Sequence, residues 1–89
     1  KSGREERTFL SQELRRRNIS VCPSEANYLL LRAPLGLDAA LLRRGIAIRS
    51  CENYPGLGPG WYRIAVRLHE ENEALLETMR RVTEEAHGI

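Results

Sequence analysis

Apolar side chains recur along this chain with two periods, and the switches between them mark its elements. From Glu5 to Arg17, Phe9, Leu10 and Leu14 fall on one side among good helix formers, which predicts a helix. Asn18 is placed to end it in a left-handed conformation, and Arg15, Arg16 and Arg17 put positive charge where the helix dipole favours it. Ile19 to Val21 is a short extended piece, broken by Pro23 and Ser24. Ala26 to Arg32 (ANYLLLR) reads as a strand, and its nearly continuous apolar run predicts protein on both faces. Pro34-Leu35-Gly36 turns the chain into a short helix from Leu37 to Arg44, with Leu37, Leu41 and Leu42 inward and Asp38 as its N-cap. Gly45 is the residue to close that helix, with Ile46 making the accompanying apolar contact. Ile46 to Arg49 (IAIR) is the next strand, and Trp61 to Arg67 (WYRIAVR) the last. The loop between them, from Ser50 to Gly60, is too long for a tight hairpin. A final helix runs from about His69 to Ala86, with Leu75, Met79, Val82 and Ala86 as its core stripe. Leu68 cannot cap it with its side chain, although Glu70 and Glu71 suit its first turn.

The order is therefore α, β, α, β, β, α, with a short extra strand near Ile19. The last two strands pair antiparallel through their loop. The expected fold class is α/β of the α+β kind: a small open-faced sandwich, with a mostly antiparallel sheet of three to four strands and helices on one face.

Strand alternation sorts the side chains. Tyr62, Ile64 and Val66 point one way, as do Ile46 and Ile48, and these aliphatic sets belong with the helices. Arg49, Arg63 and Arg67 then belong to the opposite face, with Trp61, Ala47 and Ala65. Small residues beside arginines leave room for a ligand. A pair of guanidinium groups suits a carboxylate or a phosphate, because each offers bidentate, charge-assisted hydrogen bonds. The alternative is ordinary solvated arginine on a sheet face.

Composition narrows the classes. With 89 residues the chain is one small domain, 42% hydrophobic, 29% charged and +2 in net charge. That is ordinary for a folded domain and excludes a disordered one. No apolar run is long enough for a membrane helix. Every basic residue but Lys1 is Arg, and every acidic one but Asp38 is Glu, which fits helical surfaces better than a polyanion-binding protein. Cys22, Cys51, His69 and His87 lack zinc-site spacing, so no metal is expected, and the cysteines read as reduced thiols of a cytoplasmic protein. The start at Lys1, within helix-like sequence and without an initiator Met, suggests a piece of something longer.

The ordered set PS-x-ANYLL, GI-x-IR, YRIAVR and EEN-x-x-LL resembles the C-terminal small domain of fold-type I pyridoxal-phosphate enzymes, in the branch of histidinol-phosphate aminotransferase and threonine-phosphate decarboxylase. It covers nearly the whole chain, so residues 1–89 are expected to be that domain, with the large cofactor-binding domain absent. The resemblance implies that Arg63 grips the substrate's carboxylate, or its phosphate in the histidinol-phosphate enzymes. It implies that Arg49 helps hold the phosphate, and puts Asn27 near a domain interface. The stretch from Cys51 to Leu57, Cys-x-Asn-aromatic-x-Gly-Leu, resembles the decarboxylase branch, with Cys51 structural rather than catalytic. Relatives often carry a Thr cap where this chain has Leu68.

The resemblance implies pyridoxal 5'-phosphate in the full-length enzyme, a phosphorylated amino-acid substrate and a homodimer. No catalytic residue and no bound cofactor are expected here, because Lys1 is the sole lysine and Asp38 the sole aspartate. The Gly56 to Gly60 run is not a phosphate-cradling loop, since no GK[ST] follows it. Two other accounts stand beside this one. One is a free-standing anion-binding regulatory module using the same arginine face. The other, an RNA-binding domain, lacks the aromatic RNP pattern and the GXXG loop, so no nucleic-acid partner is expected.

Overall fold

The chain's structure, a computed structural model, describes residues 3–23 and 27–87, with side chains over 3–22 and 27–85. The expected break at Ser24, the strand start at Ala26 and the side chain of Ala86 lie outside those bounds.

Three helices and four strands follow in order: α1 (Gly3–Arg16), β1 (Ser20–Pro23), β2 (Tyr28–Arg32), α2 (Leu37–Leu42), β3 (Arg49–Ser50), β4 (Trp61–Ala65) and α3 (His69–His87). The strands form one sheet in the order β1-β2-β4-β3, antiparallel throughout. The fold is the expected open-faced α+β sandwich. Leu29 and Leu31 of β2 and Tyr62 and Ile64 of β4 point to one side and are buried. There they meet Leu10 and Leu14 of α1, Leu37 and Leu41 of α2, and Leu75, Leu76 and Met79 of α3.

Two helices end by the same device. Asn18 has φ 63° and Gly45 has φ 86°. In each case the next amide reaches five residues back: Ile19 N–H to the Leu14 carbonyl, and Ile46 N–H to that of Leu41. The two left-handed residues donate to Arg15 and Leu42 in turn, completing a Schellman closure. This bears out the roles read for Asn18 and Gly45.

Several expectations are corrected. Leu42 is exposed, because Leu37 and Leu41 share a helix face four residues apart and Leu42 is rotated off it. Asp38 does not cap α2. Gly36 holds the N-cap position without a side-chain bond, and Asp38 lies inside the first turn. The third strand is Arg49–Ser50, not Ile46 to Arg49: the Ile46 amide is taken by the α2 closure, and residues 46–48 carry no ladder. The last strand stops at Ala65 rather than Arg67. β2 is not covered on both sides: Tyr28 and Leu30 are half-buried and Arg32 is exposed, since all three helices lie on the other face.

α3 begins without a side-chain cap from Leu68, and Asn72 instead fixes the backbone just ahead of it. Its Oδ1 accepts from the Arg67 amide at 3.0 Å, and its Nδ2 donates to the Arg67 carbonyl at 2.9 Å and to Glu6 Oε1 at 3.0 Å. Glu6 Oε2 lies 2.9 Å from His69 Nδ1, and the His69 ring packs on Phe9 at 4.8 Å between centroids. Asn72 is 1% exposed and Glu6 3%, so this polar knot is buried and ties α1 to the start of α3.

Two substitutions test these points. Asn72→Ala strands the Arg67 backbone and removes a donor from Glu6, so urea unfolding should show a loss of about 2–3 kcal/mol. Asn72→Asp, which sets a second carboxylate against Glu6, should lose at least as much. Gly60→Ala should lower the melting temperature, by an amount equivalent to about 1–2 kcal/mol. Gly60 has φ +91°, and a Cβ there would lie 3.3 Å from the Ala33 carbonyl oxygen.

Candidate functional site

The covered face of the sheet leaves the other parity of side chains uncovered. Arg49 pairs directly across with Arg63, Arg63 with Leu30, and Leu30 with Cys22, so one row crosses the open face. Arg32 stands opposite Trp61 and Tyr28 opposite Ala65 on the same face. The structure thus brings together Arg49 and Arg63, the two site residues expected from the sequence. Arg67 does not join them: it follows the end of β4 and faces Glu71, with Nη1 3.7 Å from Oε2. Ala47 lies in the segment before β3 and is exposed.

Charge is distributed unevenly between the layers. Five arginines in the helices or in the turns that end them are matched by glutamates: Arg16 and Arg17 by Glu13, Arg80 by Glu77 and Glu84, Arg81 by Glu77, and Arg44 by Glu85. The hydrogen bond from Arg80 draws the Glu77 carboxyl down to about 2. The four strands contain no Asp or Glu at all, so Arg32, Arg49 and Arg63 share a face without a carboxylate of its own. Two like charges directly opposite in a ladder repel, by about 1 kcal/mol in water at 4 Å and several times that when shielded from it. An anion set between Arg49 and Arg63 replaces that repulsion with two attractions.

Arg63 is held more closely than Arg49. It is half-buried, and its guanidinium carbon sits 4.4 Å from the centre of the Tyr28 ring. Arg49, directly across on the neighbouring strand, is exposed. Tyr28 and Arg32 were not singled out from the sequence. Alternation within YLLLR puts both on the arginine face, but the apolar run of β2 masks that signal.

Cys51 follows β3 and is fully buried, whereas Cys22 is exposed; both are free thiols. Burial pushes the Cys51 thiol up, and the nearby Arg63 and Arg49 charges draw it back only in part. It therefore stays protonated and unreactive near neutral pH, in keeping with a structural role. Asn27 is exposed in the turn before β2, where its carbonyl accepts the Val66 amide.

The guanidinium groups of Arg32, Arg49 and Arg63 suit the open face to an anion, but the face does not by itself fit pyridoxal phosphate. With the Tyr28 and Trp61 rings beside them, they offer neither an amine for the cofactor's aldehyde nor a carboxylate for its ring nitrogen. Lys1 lies outside the described residues, and Asp38 stands in α2 within the helical layer. Among the described residues no three His, Cys, Asp or Glu side chains converge on a metal position, and no helix is long and apolar enough to cross a membrane. A cavity of about 580 Å³ opens among Ile19, Pro34, Leu37, Met79 and Val82, away from Arg49 and Arg63.

No protein-family model matches the chain. It is 48% identical over 67 residues to the threonine-phosphate decarboxylase of Salmonella typhimurium, a match taking in 72% of this chain and 18% of that protein. It is 34% identical over 90 residues to the histidinol-phosphate aminotransferase of Methanococcus maripaludis, over 94% of this chain and 24% of that one. Among solved structures, the histidinol-phosphate aminotransferase from Clostridium acetobutylicum is similar at a TM-score of 0.81 and 30% identity, over 89% of this chain and 25% of the other. A decarboxylase from Sulfurospirillum multivorans is similar at 0.77 and 27%, over 88% and 24%. The chain spans a quarter or less of the length of each of these relatives.

The contrast between the two thiols is directly measurable. With dithionitrobenzoate under native conditions, one thiol per chain should react rapidly, and Cys22→Ser should remove that phase. The second should react only at the rate of opening, and become fast in denaturant.

Proposed function

This chain is homologous to one segment of the threonine-phosphate decarboxylases and histidinol-phosphate aminotransferases, pyridoxal-phosphate enzymes of fold type I, and from that premise we propose that it is the small, substrate-gripping domain of such an enzyme. Its substrate is a phosphorylated amino acid, with L-threonine O-3-phosphate the first choice and decarboxylation, in cobalamin biosynthesis, the reaction. The observation that carries the reading is the pair Arg49 and Arg63, opposite each other on a sheet face without carboxylates. Arg63 binds the carboxylate or phosphate and Arg49 assists at the phosphate. Holding both ends of the substrate selects which bond at its α-carbon is aligned for cleavage, so this domain supplies orientation and the cofactor the electronic chemistry. A large domain outside these 89 residues holds pyridoxal phosphate, and the whole enzyme is a cytoplasmic homodimer.

The 48% identity to the Salmonella decarboxylase and the Cys51 to Leu57 stretch favour decarboxylation. Histidinol-phosphate aminotransferase is the second reading, because several archaeal examples match at 32–42% identity.

The test starts with the native polypeptide that carries this segment. Its mass should be several times that of the 89 residues, and it should release carbon dioxide from threonine phosphate. Transamination of histidinol phosphate instead supports the second reading. A native chain no longer than this one overturns the enzyme and leaves an anion-binding module. In calorimetric titrations with O-phosphothreonine, Arg63→Gln and Arg49→Gln should each weaken binding about tenfold or more, as the loss of charged hydrogen bonds predicts. Unchanged affinity in both variants overturns the site.

A further inference from the structure

We propose that Tyr28 is a positioning residue for Arg63: its ring fixes the guanidinium plane so that the N–H edge, rather than the face, is offered to the anion. The inference rests on the anion-binding role of Arg63 and goes beyond it, to how that arginine is made ready.

The contact follows from the sheet. Tyr28 stands opposite Ala65 and Leu30 opposite Arg63, so Tyr28 and Arg63 are diagonal neighbours on one face. Such neighbours are about 7–8 Å apart at the backbone, within reach of an aromatic ring and a long side chain. The small side chain of Ala65 leaves the space over the Tyr28 ring unfilled by its direct partner, and the Arg63 guanidinium occupies it, 4.4 Å from the ring centre. An aromatic ring attracts a cation to its face through its quadrupole. A guanidinium bonds carboxylate and phosphate through N–H groups that all lie in its own plane. With the ring lying against its face, as proposed, the group is restrained without using a single donor.

Arginine is otherwise costly to order, because its side chain samples many rotamers when free. Arg63 has this restraint before any ligand arrives, whereas Arg49 is exposed on the two-residue edge strand. The two arginines thus divide the work. Arg63 is a preset anchor, and Arg49 closes on whatever Arg63 has caught.

The test compares Tyr28→Phe, Tyr28→Trp and Tyr28→Leu in the same native polypeptide. O-phosphothreonine and inorganic phosphate serve as probes. In the unliganded protein, the Arg63 side-chain proton resonances should be shifted upfield by the ring current, remain so in Phe and Trp variants, and lose the shift in Tyr28→Leu. The dissociation constant for both probes should rise about two- to fivefold in Tyr28→Leu, as loss of an exposed to partly shielded cation–π contact predicts, and stay within twofold in Tyr28→Phe. Tyr28→Trp, with the stronger ring, should bind at least as tightly, and it keeps the comparison decisive if Tyr28→Leu unfolds. Loss of affinity in Tyr28→Phe overturns the proposal, because the hydroxyl would then matter. Loss of the ring-current shift with unchanged affinity in Tyr28→Leu, while Arg63→Gln still weakens binding, overturns positioning and leaves the site intact. No effect of Arg63→Gln overturns both.

Discussion

One-sided burial of the two central strands is the constraint on which the rest depends. β2 and β4 carry Leu29, Leu31, Tyr62 and Ile64 on one parity, and all are withdrawn from water by the three helices. Burial of four such side chains stabilises the fold by several kcal/mol in total. A slip of one residue in register would trade Leu29, Ile64 and their partners for Leu30, Arg63 and theirs. The register that protects the core is therefore the one that turns Arg63 to the open face. The separate pairing of β3 with β4 then sets Arg49 across from it.

The uneven use of charge gives that face its chemistry. Exposed pairs such as Arg80 with Glu77 and Glu84 add little to stability, but they satisfy those arginines locally. The sheet arginines have no such relief. A face kept free of carboxylates retains its field for an incoming anion. The same arrangement is unfavourable in the absence of an anion, since Arg49 and Arg63 face each other across the ladder. Local unfavourability that a ligand relieves is the pattern expected of a binding site rather than of a surface built for stability.

Much of this was legible in the residues, and the exceptions have physical causes. Alternation in WYRIAVR and IAIR separated Arg49 and Arg63 from the aliphatic positions because a period of two is insensitive to where a strand ends. The ends themselves were not readable. β3 shrank to two residues because the Ile46 amide was already committed to closing α2, a competition between two backbone acceptors that no side chain announces. Asn72 was missed for a similar reason. It sits within a helix among polar residues, and only the arrival of Glu6, 66 positions away, turns it into a buried connector. Tyr28 was hidden by the apolar run around it.

Asn72 and Arg63 also show why polar groups in so small a domain fall into two kinds. Asn72 spends its side-chain amide on the Arg67 backbone and on Glu6, inside the protein. It ties down the Arg67 backbone just ahead of α3, in the connection between β4 and that helix. Arg63 lies four residues before that junction, and the direction of its strand is set partly by it. A buried polar network that is fully engaged rigidifies its surroundings. A guanidinium held over the Tyr28 ring by its cation–π contact has no carboxylate partner on its own sheet face, and its N–H groups are available to something outside. The first kind of group holds the second at a constant place, and a domain whose task is to orient a substrate needs that constancy more than it needs a reactive group of its own.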